Sequence, residues 1–261
     1  MEHKATPEHT YAYGVDVGGT GIKGGVVDLF TGQLVGERYR IDTPRPATPQ
    51  AVAEVVAAVL NELRQRPGMP ADAPVGVALP SIVHHGVARS ASNIDPTFIG
   101  TDLVALLSQQ IGREVTVLND ADAAGLAEAE FGAARGVAGS VLMLTLGTGI
   151  GSALLFNGEL VPNFELGHLE FNGQIAERGA SASARQREGL SWKEYAQRLN
   201  GYLEHVQFLF SPELIILGGG VSKSPQKFVP LLELETKIAV AEHANNAGIL
   251  GAALHGSRQN S

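Results

Sequence analysis

The segment Asp16-Val17-Gly18-Gly19-Thr20-Gly21-Ile22-Lys23 decides how this chain is read. A β-rich run, Tyr11 to Val17, leads into it, and a second strand leaves it through Ile22 to Asp28. A turn at Thr31-Gly32 and a third strand, Leu34 to Ile41, follow. The same order recurs downstream: Gly19-Thr20-Gly21-Ile22 matches Gly147-Thr148-Gly149-Ile150 at an offset of 128 residues. With a two-residue gap, Gly32-Gln33-Leu34-Val35 falls against Gly158-Glu159-Leu160-Val161. Each copy reads strand, glycine turn, strand, turn, strand. Two Gly-rich hairpins resemble each other by chance too, but a duplicated pair of domains explains the order and spacing together. A ligand is then expected between the two halves.

Between the copies, Thr48 caps a helix with Pro49 at its first position. Val52, Val55, Val56, Val59, Leu60 and Leu63 form one apolar helical face there. Val75 to Leu79 reads as a buried strand, Leu103 to Ile111 as a helix, Val115 to Leu118 as a strand and Ala121 to Phe131 as a helix. A long helix, Trp192 to Phe210, precedes the strand Leu214 to Leu217, and a last helix starts near Ala247. Strands alternating with helices beside local hairpins predict an α/β protein with mixed sheets. The expected division is 11–118 plus 246–258 as one domain and 119–245 as the other.

Composition excludes several classes. Lys and Arg number 19 against 27 Asp and Glu, a net charge of −8, so sequence-independent binding to DNA is not expected. Apolar residues make up 44% and charged ones 18%, which is not the composition of a disordered chain. The absence of Cys removes disulfides, thiolate zinc sites and a cysteine nucleophile. Met1 to Thr10 lacks an apolar signal core, and the uncharged run Gly136 to Gly158 is broken by Gly147, Gly149 and Gly151. It reads as two buried strands around a turn rather than a membrane span. A cytoplasmic protein without a membrane partner is expected.

The chemistry concentrates at the glycine turns and one strand end. Gly18, Gly19 and Gly21 lack Cβ atoms, so backbone amides can surround an anion, with the Thr20 hydroxyl and the Lys23 ammonium beside them. Asp16 is placed to hold Mg²⁺ through water. Gly147, Thr148 and Gly149 offer a matching cradle. The pattern is neither a Walker loop nor a Rossmann fingerprint. Asp120 follows the strand Val115 to Leu118 and opens a helix, a position that suits a helix cap and a general base alike.

Taken in order, DVGGTGIK (16–23), LND (118–120), LGTGIG (146–151), ELGH (165–168) and LGGG (217–220) resemble the ROK family of sugar kinases and repressors. The resemblance runs from about Tyr11 to His255. It implies the actin-like fold, two RNase-H-like domains with a cleft between them. It also implies transfer of a phosphoryl group to the 6-hydroxyl of glucose, with mannose as a second acceptor. Asp120 would be the base; Asn119, Glu165 and His168 would hold sugar hydroxyls; Gly218, Gly219 and Gly220 would lie by the nucleoside. Many members bind zinc through a cysteine cluster after the Glu-x-Gly-His motif, but Leu169 to Arg187 contains none, so zinc is not expected. His168 is then left to the sugar, or to a structural role against a carbonyl. Glu177 stands where a further sugar-binding Glu would come.

The segments SASARQREGLSW and HGVARSASNID resemble the polyphosphate-using glucokinase branch of the family. That resemblance implies inorganic polyphosphate and ATP as donors, adds Asn93 as a sugar contact or a turn residue before Asp95-Pro96, and admits a homodimer. Lys23, Arg185, Arg187, Lys193 and Lys223 are the cations available for a polyanionic donor. An ATP-only glucokinase and an actin-like ATPase without sugar kinase activity remain as alternatives. A repressor is disfavoured, since only about ten residues precede the first strand.

Overall fold

The computed structural model describes residues 10–66, 68–92 and 94–259, so Asn93 lies outside the described residues. The described residues divide into two compact units, 10–123 with 246–259 and 124–245.

The first unit is built on a sheet in the order β3-β2-β1-β5-β8, with β4 also paired to β2. Its strands are β1 (Tyr11–Val17), β2 (Gly21–Asp28), β3 (Gln33–Leu34), β4 (Tyr39–Asp42), β5 (Val75–Leu79) and β8 (Thr116–Asn119). A small hairpin of β6 (Val83–His84) and β7 (Val87–Ala88) stands apart. β1 pairs antiparallel with β2 and parallel with β5, which pairs parallel with β8. The strand expected over Leu34 to Ile41 is interrupted. Gly36 adopts a left-handed φ of 75°, which breaks the extended run and leaves β3 and β4 as separate pieces on β2.

Side chains alternate across β1 and serve two layers. Tyr13, Val15 and Val17 face the core built with α1 (Pro49–Arg64), capped by Thr48, and α2 (Leu103–Ile111). Gly14 and Asp16 face α7 (Ala247–Gln259) instead. A Cβ on Gly14 would lie 2.8 Å from the carbonyl carbon of Ile249, and one on Gly76 would lie 2.6 Å from that of Ala252. Glycine is required there because the backbone of α7 rests directly on the strands.

The second unit repeats the scheme. Its sheet runs β11-β10-β9-β14-β15, from β9 (Ser140–Leu146), β10 (Ile150–Phe156), β11 (Glu159–Val161), β14 (Leu214–Gly218) and β15 (Lys237–Val240). A hairpin is followed by two parallel strands, as in the first unit. Leu142, Leu144 and Leu146 pack on α6 (Trp192–Phe210) through Tyr195, Leu199, Tyr202, Leu203 and Val206. The connection to α6 carries the hairpin β12 (Glu170–Phe171) and β13 (Gln174–Ile175), then α4 (Ala176–Ala180) and α5 (Ala182–Glu188).

Helix α3 (Asp120–Phe131) spans the unit boundary at Ala123 and Ala124. Asn119 and Asp120 therefore belong with the first unit rather than with 124–245. The reason is local: Asn119 is the last residue of β8, in register with Leu79, and the backbone of Ala123 lies against Gly251 of α7.

Candidate active site

The first glycine turn joins β1 to β2, closed by Gly18 N–H donating to Gly21 O at 3.1 Å. Its carbonyls are all taken by the protein. Thr43 Oγ1 donates to Gly18 O at 2.5 Å, Arg45 Nη2 to Gly19 O at 3.3 Å and Arg40 Nη2 to Thr20 O at 2.8 Å. In a trans peptide the C=O and the following N–H point in opposite directions. Tying those oxygens down aims the amides of Gly19, Thr20 and Gly21 away from Arg40, Thr43 and Arg45. That is the donor array an anion needs. Arg40, Thr43 and Arg45 escaped the sequence reading; the only signal was the Thr43-to-Pro46 loop, which pairing of β4 with β2 folds against the turn.

Asp16 and Lys23 are cross-strand partners in register, and their ion pair measures 2.8 Å between Lys23 Nζ and Asp16 Oδ2. The Asp16 carboxylate also lies over the first turn of α7, where a Cβ on Gly248 would be 2.7 Å from its Cγ. Glycine leaves room for the carboxylate at a helix N-terminus, where negative charge is favoured. Lys23 is thus engaged by Asp16 as well as lying near the first glycine turn. Among the described residues no group of three or more His, Cys, Asp or Glu could hold a metal ion.

At the end of β8 it is Asn119, not Asp120, that caps α3. Asn119 Oδ1 accepts from Ala121 N–H at 2.8 Å and from Asp122 N–H at 3.2 Å, while its Nδ2 donates to Ser81 O at 3.2 Å. Asp120 Oδ1 shares the Ala121 amide at 2.8 Å, and Asp120 is exposed, whereas Asp122 is buried. The capping explanation of Asp120 thus passes to its neighbour. Asn119 keeps one Nδ2 hydrogen for another acceptor.

In the second unit, Glu165 and His168 flank a single 3₁₀ turn over Leu166–His168. That turn is clamped by Ser152 Oγ, which donates to Phe164 O at 2.6 Å and accepts from Leu166 N–H at 2.8 Å. Tyr202 Oη donates to Leu166 O at 3.1 Å, and burial holds the phenol's pKa well above its usual value, so it stays a donor. His168 Nδ1 lies 3.5 Å from Glu165 Oε2. Burial raises the Glu165 pKa, the His168 imidazole opposes the rise, and the Glu177 carboxylate adds to it.

Glu177 lies against the second glycine turn. Its Oε2 accepts from Ile150 N–H at 3.2 Å and occupies the space a Cβ on Gly149 would need. The third glycine run lies beside that turn. Gly219 has φ 79°, and a Cβ on it would lie 2.7 Å from Leu146 N. The parallel pairing of β14 with β9 places Gly218 opposite Thr145 and so delivers Gly218, Gly219 and Gly220 to the end of β9.

The basic residues are only partly grouped. Arg187 donates to Glu188 at 3.1 Å and to Arg178 O at 2.6 Å. The Arg185 guanidinium stacks 3.8 Å over the Trp192 ring, where Lys227, not singled out from the sequence, lies at 5.5 Å. Lys193 is exposed on α6, and Lys223 closes the 3₁₀ turn after Gly219.

Comparison with known proteins agrees with this architecture. The ROK family profile matches residues 12–183. A polyphosphate glucokinase from Mycobacterium tuberculosis (strain CDC 1551 / Oshkosh) is 46% identical over 97% of this chain and 95% of its own. One from Mycobacterium leprae (strain TN) is 44% identical, covering 93% and 73%. The crystal structure of inorganic polyphosphate/ATP-glucomannokinase from Arthrobacter sp. strain KM superposes with a TM-score of 0.92 at 57% identity, covering 96% of this chain and 100% of that one. A ROK family glucokinase from Streptomyces griseus, in complex with glucose and AMPPNP, gives 0.78 at 25% identity over 95% and 99%. The expected α/β, actin-like sugar-kinase fold is thereby borne out. No helix among the described residues is long and apolar enough to cross a membrane. With its glycine turns, Asn119-Asp120 and Glu165-x-x-His168 in this order on that fold, the chain belongs to the ROK family.

Proposed function

We propose that the protein phosphorylates the 6-hydroxyl of glucose, and of mannose, with inorganic polyphosphate or ATP as donor. The observation carrying this reading is the 57% identity, over nearly the full chain, to a polyphosphate/ATP-glucomannokinase. Asp120 accepts the hydroxyl proton as the sugar oxygen attacks the terminal phosphorus in line. Asp120 is exposed at the start of α3, which Asn119 caps, and this supports the role of base. Asn119, Glu165, His168 and Glu177 orient the sugar hydroxyls. The amides of Gly19, Thr20 and Gly21, with those of Thr148 and Gly149, stabilise charge on the donor phosphates. Gly218, Gly219 and Gly220 serve the nucleoside when ATP is the donor.

Asp16 is a hard oxygen donor that would hold Mg²⁺ through water, in competition with the Lys23 ammonium paired to its Oδ2. When bound, the cation offsets charge on the transferring phosphoryl group. The chain has no Cys, which removes a thiolate zinc site.

The test is the initial rate of glucose 6-phosphate formation with Mg²⁺ and either ATP or nucleotide-free long-chain polyphosphate. Turnover with both is expected. Turnover with ATP alone would retire the polyphosphate donor, and sugar-independent ATP hydrolysis without glucose 6-phosphate would overturn the kinase reading.

A further inference from the structure

Among the described residues, Ser183 holds the second glycine turn from behind. Its N–H donates to Gly147 O at 3.1 Å and its hydroxyl to Thr148 O at 2.5 Å. Because that hydroxyl hydrogen is spent on Thr148, the 3.0 Å contact between Ser181 Oγ and Ser183 Oγ is a donation from Ser181. Ser181 Oγ in turn accepts from Ala184 N–H at 3.2 Å, which anchors the chain of hydroxyls to α5. Gly147 N–H is used within the turn, donating to Gly149 O at 3.0 Å.

The two carbonyls that Ser183 ties down belong to the peptides whose N–H groups are those of Thr148 and Gly149. Trans geometry sends those amides away from α5. On the first turn Thr43, Arg45 and Arg40 hold the carbonyls in the same sense, so different residues solve one problem twice. We infer that Ser183 is a positioning residue for the phosphoryl donor: its paired bonds to Gly147 O and Thr148 O aim the Thr148 and Gly149 amides at donor phosphate. The inference rests on the reading of this turn as a donor-phosphate cradle.

Three variants separate the two ideas. Gly147→Ala tests the cradle itself, because a Cβ there meets no protein atom within 4 Å and stands in the open space of the turn. Ser183→Ala removes the hydroxyl bond and keeps the amide bond; Ser183→Thr restores a hydroxyl. The readouts are KM for ATP and for polyphosphate, KM for glucose, and thermal unfolding. Ser183→Ala is expected to raise donor KM roughly 3- to 10-fold, the size of one net hydrogen bond. Glucose KM should stay within about twofold, the unfolding temperature should fall by no more than about 4 °C, and Ser183→Thr should recover donor KM. If Gly147→Ala raises donor KM and Ser183→Ala does not, the cradle stands and the role of Ser183 falls. If neither raises it, both fall. If Ser183→Ala shifts both KM values alike and lowers the unfolding temperature, the residue is merely structural and the inference is overturned.

Discussion

Replacing Asp120 by Asn separates chemistry from architecture at the start of α3. The structure bounds the loss of stability. Helix capping rests on Asn119, which accepts from the Ala121 and Asp122 amides, and an Asn at 120 still presents an oxygen to the Ala121 amide. The negative charge lost from the first turn of the helix is worth ~1 kcal/mol at an exposed position. For a chain of this length that is no more than about 4 °C in unfolding temperature. The kinetic loss is of another order. An amide cannot accept the hydroxyl proton, and general-base catalysis contributes roughly 10²–10⁴ in rate. At 1.36 kcal/mol per decade that is ~2.7–5.4 kcal/mol of transition-state stabilisation. The assay is initial-rate formation of glucose 6-phosphate, with glucose binding measured by calorimetry on the same preparations. The expected result is a kcat reduced at least ~100-fold, with glucose affinity retained and unfolding nearly unchanged. A kcat within about tenfold of the parent would refute the assignment of the base. An unfolding temperature lowered by more than roughly 10 °C would show that Asp120 is structural and refute the division of labour with Asn119.

Two further outcomes follow from packing and burial. Glu165 has a pKa raised above its usual 4.5, mainly by burial, so the folded state holds its proton to higher pH than the unfolded chain. Stability from this group therefore falls as pH rises from about 4.5 through the raised folded value. Glu165→Gln should unfold at a higher temperature than the parent at pH 8, with the gain vanishing near pH 4; an equal gain at both pH values would refute the burial cause. Gly251→Ala places a methyl 2.8 Å from Ala123 Cα and closer still to its carbonyl, where backbone cannot yield as a side chain would. Overpacking of ~1–3 kcal/mol or more should exceed the ~1 kcal/mol gain in helix propensity, so denaturant unfolding should show net destabilisation. A variant as stable as the parent would mean that α7 shifts freely at this contact.

The repeat and most elements were legible because they are written in local signals. The strand Tyr11–Val17 and helix Trp192–Phe210 fall where apolar periodicity and turn residues place them, and Thr48-Pro49 marks the start of α1. β15 was not legible, since Lys237–Val240 is short and half-exposed and owes its place to parallel pairing with β14. The break at Gly36 leaves no mark in the sequence, because a glycine between strand-forming residues does not announce a left-handed φ.

By itself, the sequence determined the α/β class, the two-fold repeat of hairpin and glycine turn, and the candidates for base, sugar and phosphate contacts. The class and the repeat depend on residue type and spacing along one stretch of chain, while the base and sugar contacts come from the resemblance to the ROK family. Tertiary structure decided which neighbour of the Asn119-Asp120 pair caps the helix, that Lys23 pairs with Asp16, and that Glu177 lies under Gly149. It also decided that Thr43, Arg40, Arg45 and Ser183 hold the carbonyls of the two turns. The bonds that hold those carbonyls lie beyond a local reading because a hydrogen bond between residues 20 to 36 positions apart leaves no periodic trace. Its donor is chosen by where a strand pairing or a helix brings the second segment, and that is a property of the packed molecule.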